Sequence, residues 1–480
     1  MFSPQLSTQQ LLEHANNLLR SGRHAAAVDV FRQLLRAMPN NPELLSRLGS
    51  SLNQIGQTTE ARQHIERAIR LSPNQAMFHH DLSSTFRREG KWKQAEEAID
   101  KALKLAPRHP TFTAAKAELA FLQGDSEKAL RILQPVRGAA GDTPSIAMLF
   151  SSLAPRIGAE QEAADALRKL IGRTDLPSPL RLRLFFSLSF VLDQMGDFDG
   201  AWEAARLGNV LKNDKWDAER HTAAVDAAIA AWTPEAFAKA PSAPLDGSSA
   251  VVIVGMPRSG LGLVASTLAM LPDSGLGGEQ NDLLNAAREL EGLTAGGAPL
   301  FSKPAELTEA TLTERGAAYL TRLRTLRPDT ALISDRSPMN FLNLALIAKM
   351  LPGATIINCT RDARDSAVAC HMYLFSGNFP FMSNLAALGS FIRDSERLRA
   401  HWRSLLGPRM IDVAYEDLLA RPEAAVRKLV ESTGRPFVDA CLTPARDWVQ
   451  TITLPSGSMR DLVPDGRVGI ARDYAKFLDA

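Results

Sequence analysis

The chain has 480 residues, of which 45% are hydrophobic and 22% charged, and its formal net charge is +2 at pH 7. This length exceeds what one ordinary core holds, so two or more domains are expected. The nearly balanced charge excludes a global attraction to nucleic acid or to a membrane surface, so any anionic ligand must be recognised by local groups.

The first residues and the cysteine usage predict a cytoplasmic protein. The N-terminal sequence MFSPQLSTQQLLEHANNLL lacks the basic start and the unbroken apolar stretch of a secretory signal. No later segment has the run of about 18 apolar residues that a transmembrane helix needs. The cysteines, Cys359, Cys370 and Cys441, are not closely paired, which suits a reducing compartment and predicts neither a disulfide framework nor a Cys-based zinc site.

A repeat fills the first part of the chain. Its glycines follow one another at intervals of 34 residues: Gly22, Gly56, Gly90, Gly124 and Gly158. An alanine follows each glycine by five positions, and Gly196 with Ala201 forms a sixth unit after an insertion of four residues. This period is typical of tetratricopeptide repeats, whose paired helices stack into a solenoid with a concave inner surface. We therefore expect about six repeats over residues 1–215, with a protein or peptide partner on the array.

The period ends near residue 215, and the composition then changes. Residues 216–248 are predicted to form a helix and a linker, because WTPEAFAKAPSAPLDGSSA combines prolines with small and polar residues. Residues 249–480 alternate β-rich apolar runs with helical patterns. The predicted strands are AVVIVG (250–255), ALISD (331–335), TIINCTR (355–361) and RMIDVAY (409–415). This alternation predicts an α/β, P-loop-like domain with a parallel sheet, in which ligands bind at the carboxyl ends of the strands.

The loop after the first predicted strand has the glycine spacing of a phosphate-binding loop. Gly255 and Gly260 match G-x-x-x-x-G, whose backbone N–H groups and following helix N-terminus cradle an anion. An ATPase loop continues with Lys and then Ser or Thr, whereas this chain has Leu261 and Gly262. Because no hydroxyl follows to hold magnesium, the loop predicts a metal-free phosphate site with Arg258 as its positive charge. A tight strand-to-helix turn with an exposed arginine is the structural alternative.

Five motifs, in order behind the repeats, resemble landmarks of the bacterial tetratricopeptide-containing sulfotransferases. They are VGMPRSG, GGEQ, SDRSPMNFL, NCTRDARDSAVACHMYLF and VAYEDLLARPE. That family is similar in turn to tyrosylprotein and heparan sulfotransferases. The resemblance implies a sulfotransferase-like fold and, without a metal, transfer of a sulfuryl group from 3′-phosphoadenosine-5′-phosphosulfate (PAPS) to a hydroxyl or amine.

The resemblance also implies roles for individual residues. Glu279 falls where the family has its catalytic base, Arg336 falls where the family usually has a lysine near the transferring group, and Arg258 serves both donor binding and transfer. The implied donor-binding positions are Pro257, Arg258, Ser259, Gly260, Leu261, Gly262, Arg361, Ala369 and Arg460. The residue types suit the chemistry, because arginines bind oxyanions through several N–H groups and a carboxylate can accept the proton of the acceptor. No His/Asp/Glu cluster has metal-ligand spacing, and no basic stretch interleaved with aromatics predicts nucleic acid.

Several positions depart from the family pattern. Leu261 and Gly262 stand where the family has two threonines, and Ala369 stands where a serine contacts the 3′-phosphate. Ser366 is three residues out of register with that serine. A hydrogen bond to a charged group contributes about 1.5–3 kcal/mol, so the loss of three hydroxyls predicts weakened donor binding. These departures keep open an alternative function, a repeat-based protein-binding scaffold with a degenerate, non-catalytic nucleotide-binding domain.

Overall fold

The computed structural model describes residues 7–212, 214–293, 299–375, 379–442 and 467–478. These residues form two compact units. Most of the first unit is formed by residues up to 212, and most of the second by residues from 214 onward. The domain boundaries expected at 215 and 248 stay predictions.

The described part of the first unit consists of helix pairs, which confirms the predicted all-α tetratricopeptide region. The pairs are α1 (Thr8–Arg20) with α2 (His24–Ala37), α3 (Pro42–Gln54) with α4 (Thr58–Leu71), α5 (Ala76–Arg88) with α6 (Trp92–Leu105), α7 (Pro110–Leu122) with α8 (Ser126–Leu133), α9 (Pro144–Leu153) with α10 (Glu160–Ile171), and α11 (Ser178–Gln194) with α12 (Phe198–Lys212). The helices pack on one another through separate clusters of buried apolar side chains.

The repeated glycine and alanine have distinct structural reasons. Each repeated glycine lies in the turn inside a pair, with φ between 63° and 86°, a left-handed conformation that residues with a Cβ disfavour. Each repeated alanine is fully buried, which allows its helix to approach a neighbour closely; these residues are Ala27, Ala61, Ala95, Ala129, Ala163 and Ala201. The 34-residue period therefore arises because each repeat needs one glycine turn and one close contact between helices.

A close approach at Gly49 makes the packing of α3 against α4 testable. A Cβ at Gly49 would lie 2.5 Å from Cγ1 of Ile65 and 2.9 Å from the main-chain oxygen of Ala61. Gly49→Ala must therefore push the two helices apart, and we expect the free energy of unfolding to fall by about 1–3 kcal/mol in urea denaturation. Gly138→Ala is the control, because a Cβ there meets no atom within 4 Å. A Gly49→Ala protein as stable as the wild type would contradict this account of the packing.

The second unit is built on a parallel sheet that has five strands in the described residues. They are β1 (Ala250–Gly255), β2 (Ser274–Gly278), β3 (Leu332–Asp335), β4 (Thr355–Thr360) and β5 (Met410–Ala414). The strand order is β2-β3-β1-β4-β5, and every residue of the central strand β1 is buried. The predicted α/β domain with a parallel sheet is confirmed.

Helices connect the strands and cover them. They are α13 (Ala218–Ala231), α14 (Pro234–Lys239), α15 (Leu261–Leu268), α16 (Asp282–Glu291), α17 (Glu309–Leu326), α18 (Leu344–Met350), α19 (Ala363–His371), α20 (Leu385–Leu406), α21 (Tyr415–Ala420), α22 (Pro422–Glu431) and α23 (Ala475–Leu478). Helices α15 and α22 share one apolar cluster with the sheet. Within the described ranges, none of the helices combines the length and apolarity needed to cross a bilayer.

Strand β2 was not among the predicted strands. Its sequence, SGLGG, contains three glycines and has low intrinsic strand preference. The glycines are used for close packing, because a Cβ at Gly275 would lie 3.0 Å from Cγ2 of Thr330, and one at Gly277 would lie 3.0 Å from Cδ2 of Leu323. Tertiary contact therefore places this segment at the edge of the sheet, beside β3.

The strand order places a ligand crevice at one point of the sheet. The chain leaves β1 toward β2 on one side and leaves β4 toward β5 on the other, although β1 and β4 are neighbours. In open parallel sheets the crevice at such a switch point, outside the carboxyl ends of the strands, is the usual ligand site.

Candidate functional site

The loop between β1 and α15 requires glycine at both ends. Gly255 has φ 145°, and a Cβ there would lie 2.3 Å from the main-chain oxygen of Cys359 on β4. Gly260 has φ 93°, and a Cβ there would lie 2.7 Å from Cδ2 of Tyr415. The G-x-x-x-x-G spacing thus marks two places where other chain segments press directly on the loop backbone.

The first turn of α15 presents main-chain N–H groups at the switch point. Gly260 is the N-cap of α15 and has no side chain to cap the helix. The first hydrogen bond of the helix is the one that the Val264 amide donates to the Gly260 carbonyl, at 3.0 Å. The Leu261 and Gly262 amides make no main-chain hydrogen bond to another described residue. The Leu261 side chain is only 5% exposed and belongs to the apolar core, so at this position the backbone is what a ligand can meet.

Ser259 and Pro257 hold the loop in shape. The Ser259 hydroxyl is 1% exposed and lies 2.7 Å from the carbonyl of Met256 and 3.2 Å from that of Cys359. The Pro257 carbonyl accepts from the thiol of Cys370 at 3.3 Å. These contacts brace the loop against β4 and α19, so the Ser259 side chain serves the loop's conformation.

Arg258 and Arg361, predicted from separate motifs, lie together. Nη1 of Arg361 donates to the Arg258 carbonyl at 3.0 Å, and Arg258 has φ 71°, a left-handed conformation unusual for a residue other than glycine. The Arg361 guanidinium also lies 4.8 Å from the ring centre of Tyr415, and its side chain is 6% exposed. The Arg361 guanidinium is therefore held against the loop backbone, and the charges of Arg361 and Arg258 both oppose the effect by which burial raises the pKa of Tyr415.

Residues 467–474 complete the surroundings of Arg361. Nη2 of Arg361 donates to the Arg467 carbonyl at 3.0 Å. The buried carboxylate of Asp365 accepts from the amides of Gly469 at 2.6 Å and Ala471 at 3.0 Å. Asp365 also lies 3.8 Å from Arg361, so it ties this C-terminal segment to the same cluster. Arg460, the other C-terminal position implied for donor binding, lies outside the described residues.

Glu279 and Arg336 form a second pair on the same edge of the sheet. Glu279 follows β2 and Arg336 follows β3, and Nη1 of Arg336 lies 2.8 Å from Oε1 of Glu279. The Arg336 amide donates to the Gly278 carbonyl at 2.8 Å. The Glu279 side chain is 47% exposed, so solvent or an acceptor can reach it. Neighbouring strands lie about 4.8 Å apart, so this pair and the Arg258–Arg361 pair fall within roughly 15 Å, the span of a nucleotide.

The sequence did not single out Asp335, which organises this second pair. Asp335 ends β3 and is fully buried, and its Oδ1 accepts from the amides of Gln280 at 3.2 Å and Ser337 at 3.1 Å. Its Oδ2 accepts from the Tyr319 hydroxyl at 3.0 Å. Burial raises the pKa of Asp335 to about 6, against the lowering effect of the hydrogen bonds from Ser337, Gln280 and Tyr319. The sequence signal that could have identified Asp335 is a polar residue at the end of a buried strand, within the SDRSP motif.

The hydrogen bonds of Asp335 fix both members of the pair through the backbone. Gln280 immediately follows Glu279, and Ser337 immediately follows Arg336. The Ser337 hydroxyl also lies within hydrogen-bond distance of the Gln280 carbonyl, at 2.8 Å. One buried carboxylate therefore ties the end of β2 to the end of β3.

Comparison with known proteins agrees with this arrangement. Residues 250–439 match the Sulfotransferase family, and residues 12–76 and 86–153 match two Tetratricopeptide repeat families. The chain is a tetratricopeptide-repeat protein with a sulfotransferase-family domain. That domain contains the Arg258–Arg361 pair, the Glu279–Arg336 pair and the Asp335 network, because its matched range spans β1 to β5.

The individual relatives of this chain are distant in sequence. A protein of Aquifex aeolicus (strain VF5), described as uncharacterized, is 25% identical over 331 residues, which are 67% of this chain and 43% of the relative. The match thus spans less than half of the relative's length. The crystal structure of TTC0263, a tetratricopeptide protein of Thermus thermophilus, has 23% identity, covers 38% of this chain and 99% of its own, and has a TM-score of 0.33. MamA protein has 18% identity, covers 39% and 91%, and has a TM-score of 0.25.

The remaining predicted position of the sulfotransferase-family domain is Ala369. It lies on α19, one turn after Ser366, and it is absent from the described residues that line the cavity between the carboxyl ends of β1 and β4. Ser366 does line that cavity. Among the described residues, no group of three or more His, Cys, Asp or Glu side chains is arranged to hold a metal ion.

Proposed function

We propose that the protein is a sulfotransferase that moves a sulfuryl group from PAPS to a hydroxyl or amine acceptor. The observation that supports this most is the convergence of Arg361, the Arg258 loop and the α15 amides at the switch point of the sheet. An adenosine ligand with phosphates at two positions needs separate cationic groups within one nucleotide length. The two arginines and the helix N-terminus supply these positive groups without a metal ion.

The residues of the cluster fit the donor in distinct ways. The Leu261 and Gly262 amides and Arg258 would hold the 5′-phosphosulfate, since helix N-termini and arginines both favour oxyanions. Arg361 would hold the 3′-phosphate, and its Nε is buried without a hydrogen-bond partner among the described residues. When bound, the donor supplies the sulfuryl group that is transferred.

The Glu279–Arg336 pair is suited to the transfer itself. The acceptor oxygen or nitrogen forms its bond to sulfur while the bond from sulfur to the bridging phosphate oxygen breaks, and Glu279 takes the acceptor's proton. The ion pair with Arg336 orients one oxygen of the Glu279 carboxylate and leaves the other for the acceptor. Arg336 also places positive charge near the bridging oxygen, where negative charge develops.

The repeats and the cysteines complete the proposal. Tetratricopeptide solenoids commonly bind peptides on their concave surface, so a protein or peptide partner, or the acceptor itself, is placed on the array. A cytoplasmic location is consistent with the buried side chains of Cys359, Cys370 and Cys441, which form no disulfide among the described residues.

A second candidate function, a protein-binding scaffold with a degenerate nucleotide domain, is favoured by one observation. The Arg361 side chain is 6% exposed, and its two terminal nitrogens already donate to main-chain carbonyls of Arg258 and Arg467. A phosphate must compete with these bonds. In this alternative, Arg361 is a tether between the loop and the C-terminal segment.

Calorimetry with the desulfated donor, 3′-phosphoadenosine-5′-phosphate, separates the two functions. We expect saturable binding by the wild type and about tenfold or weaker binding by Arg258→Ala, because a hydrogen bond to a charged group contributes about 1.5–3 kcal/mol. Arg393→Ala, at an exposed position of α20, is the control and should bind as the wild type does. No heat change at millimolar ligand would support the scaffold and overturn the donor assignment. Where binding is found, a screen with radiolabelled sulfate identifies the acceptor.

A further inference from the structure

A small cavity opens between the carboxyl ends of β1 and β4, and polar side chains to which the motifs assign no role contribute to its wall. Besides Gly255 and Arg361, its lining includes Ser366 on α19 and Arg399 on α20. The cavity thus extends the arginine cluster away from the phosphate-binding loop, toward two helices of the same unit.

Three of the lining groups have hydrogen-bonding or charge capacity that the protein does not use. Nε of Arg361 is buried without a partner among the described residues. The Ser366 side chain is 2% exposed, yet its hydroxyl makes no hydrogen bond to another described residue. Arg399 is partly buried and forms no ion pair with a described carboxylate. Because buried polar groups are normally paired, their convergence on one cavity indicates a ligand that accepts hydrogen bonds.

The charges of the lining favour an anion. The charged residues in the lining include two arginines, Arg361 and Arg399, and one glutamate, Glu396, which is exposed to solvent. Asp365 lies 3.8 Å from Arg361 but offers no oxygen to the cavity, because its oxygens accept the Gly469 and Ala471 amides. A phosphate monoester supplies the acceptor oxygens and the negative charge that would pair with these arginines.

The position of Ser366 makes it a replacement for the serine that is absent at Ala369. The two residues are three positions apart on α19, about one helical turn. Along the chain, Ser366 is nearer to Arg361 and to the N-terminus of that helix, and it lines the cavity whereas Ala369 does not. A hydroxyl is therefore retained at the site from a different turn of the same helix.

We infer that Ser366 and Arg399 bind the 3′-phosphate of the donor in this cavity, together with Arg361. The inference rests on the proposed function, which supplies a ligand with such a phosphate. It adds two residues that determine selectivity for a nucleotide with a 3′-phosphate over one without it.

The test compares two nucleotides that differ only in this phosphate. Calorimetry with 3′-phosphoadenosine-5′-phosphate and with adenosine-5′-phosphate measures the preference of the wild type for the 3′-phosphorylated form. We expect Ser366→Ala and Arg399→Ala each to reduce this preference about tenfold, while affinity for adenosine-5′-phosphate stays within about twofold. Arg393→Ala is the control and should leave the preference unchanged, and Ala369→Ser tests whether a serine acts from the family's usual position. Circular dichroism melting confirms that each variant is folded.

Each outcome has a distinct meaning. A wild-type preference that survives in both Ser366→Ala and Arg399→Ala overturns this inference and leaves the proposed function standing. A preference that rises in Ala369→Ser but is unaffected by Ser366→Ala also overturns it, since the serine would then act from the family's usual position. A wild type that binds neither nucleotide overturns both the inference and the donor assignment.

Discussion

Replacement of Glu279 by glutamine is expected to lower kcat for sulfuryl transfer by about 10²–10⁴-fold, because the amide cannot take the acceptor's proton. Affinity for the desulfated donor should stay within about twofold, since the loop, the α15 amides and Arg361 are untouched. Glutamine has nearly the shape of glutamate, and the Glu279 side chain is 47% exposed, so folding should be preserved. Single-turnover transfer of radiolabelled sulfate and calorimetry measure the two quantities separately.

Glu289 provides a matched control for Glu279. It lies on α16, its side chain is 54% exposed, and it pairs with Arg315 at 2.9 Å, much as Glu279 pairs with Arg336. Glu289→Gln breaks a similar exposed ion pair and should leave kcat unchanged. An unchanged kcat in Glu279→Gln would remove the base assignment, whereas equal losses in both variants would point to a general effect of surface charge.

The second large effect is expected from Asp335→Asn. The asparagine amide keeps one acceptor oxygen but has N–H donors in place of the other, so it cannot accept both the bonds that Gln280 and Ser337 make to Oδ1 and the bond that Tyr319 makes to Oδ2, and the clamp between β2 and β3 is weakened. A misplacement of about 1 Å in a catalytic pair can cost about 10²-fold in rate. We expect kcat to fall about tenfold to a hundredfold, while donor affinity, measured by calorimetry, stays near that of the wild type.

The stability of the wild type relative to this variant should depend on pH in a direction set by the burial of Asp335. The pKa of Asp335 is raised in the folded state to about 6 from an ordinary 3.8, so the folded protein binds this proton more tightly than the unfolded chain. The contribution of Asp335 to stability is therefore greatest below pH 4 and is lost as pH rises through 6. About two pKa units correspond to roughly 3 kcal/mol, so the stability of the wild type relative to Asp335→Asn should fall by that order between pH 4 and pH 7 in urea denaturation.

Tyr319→Phe distinguishes positioning from a loss of stability alone. It removes the buried hydroxyl that donates to Oδ2 of Asp335 but leaves the bonds to Gln280 and Ser337 at Oδ1. We expect a loss of stability with kcat reduced less than threefold. If Tyr319→Phe lowered kcat as much as Asp335→Asn, the clamp on Glu279 and Arg336 would not be the cause.

Much of the fold could be predicted because each signal was local. The glycine in each repeat marks a turn with positive φ, as in Gly22 and Gly56, and such a requirement is visible in any one repeat and reinforced by its period. The loop after β1 was likewise predictable, because the spacing of Gly255 and Gly260 is that of a phosphate-binding loop. Strand β2 could not be predicted from its composition, since its glycines serve packing against Thr330 and Leu323.

For the candidate site, the sequence by itself determined which charged residues follow the strands: Glu279, Arg336, Arg361 and the loop arginine Arg258. That order along the chain, with the repeat period before it, is enough to indicate the family and the chemistry. Only the tertiary structure decided that Arg361 donates to the Arg258 carbonyl, that Asp335 clamps the Glu279 loop, and that Ser366 and Arg399 share a cavity. The physical reason is distance in the chain, because these groups meet through the strand order β2-β3-β1-β4-β5 and the packing of α19 and α20, which no local pattern encodes.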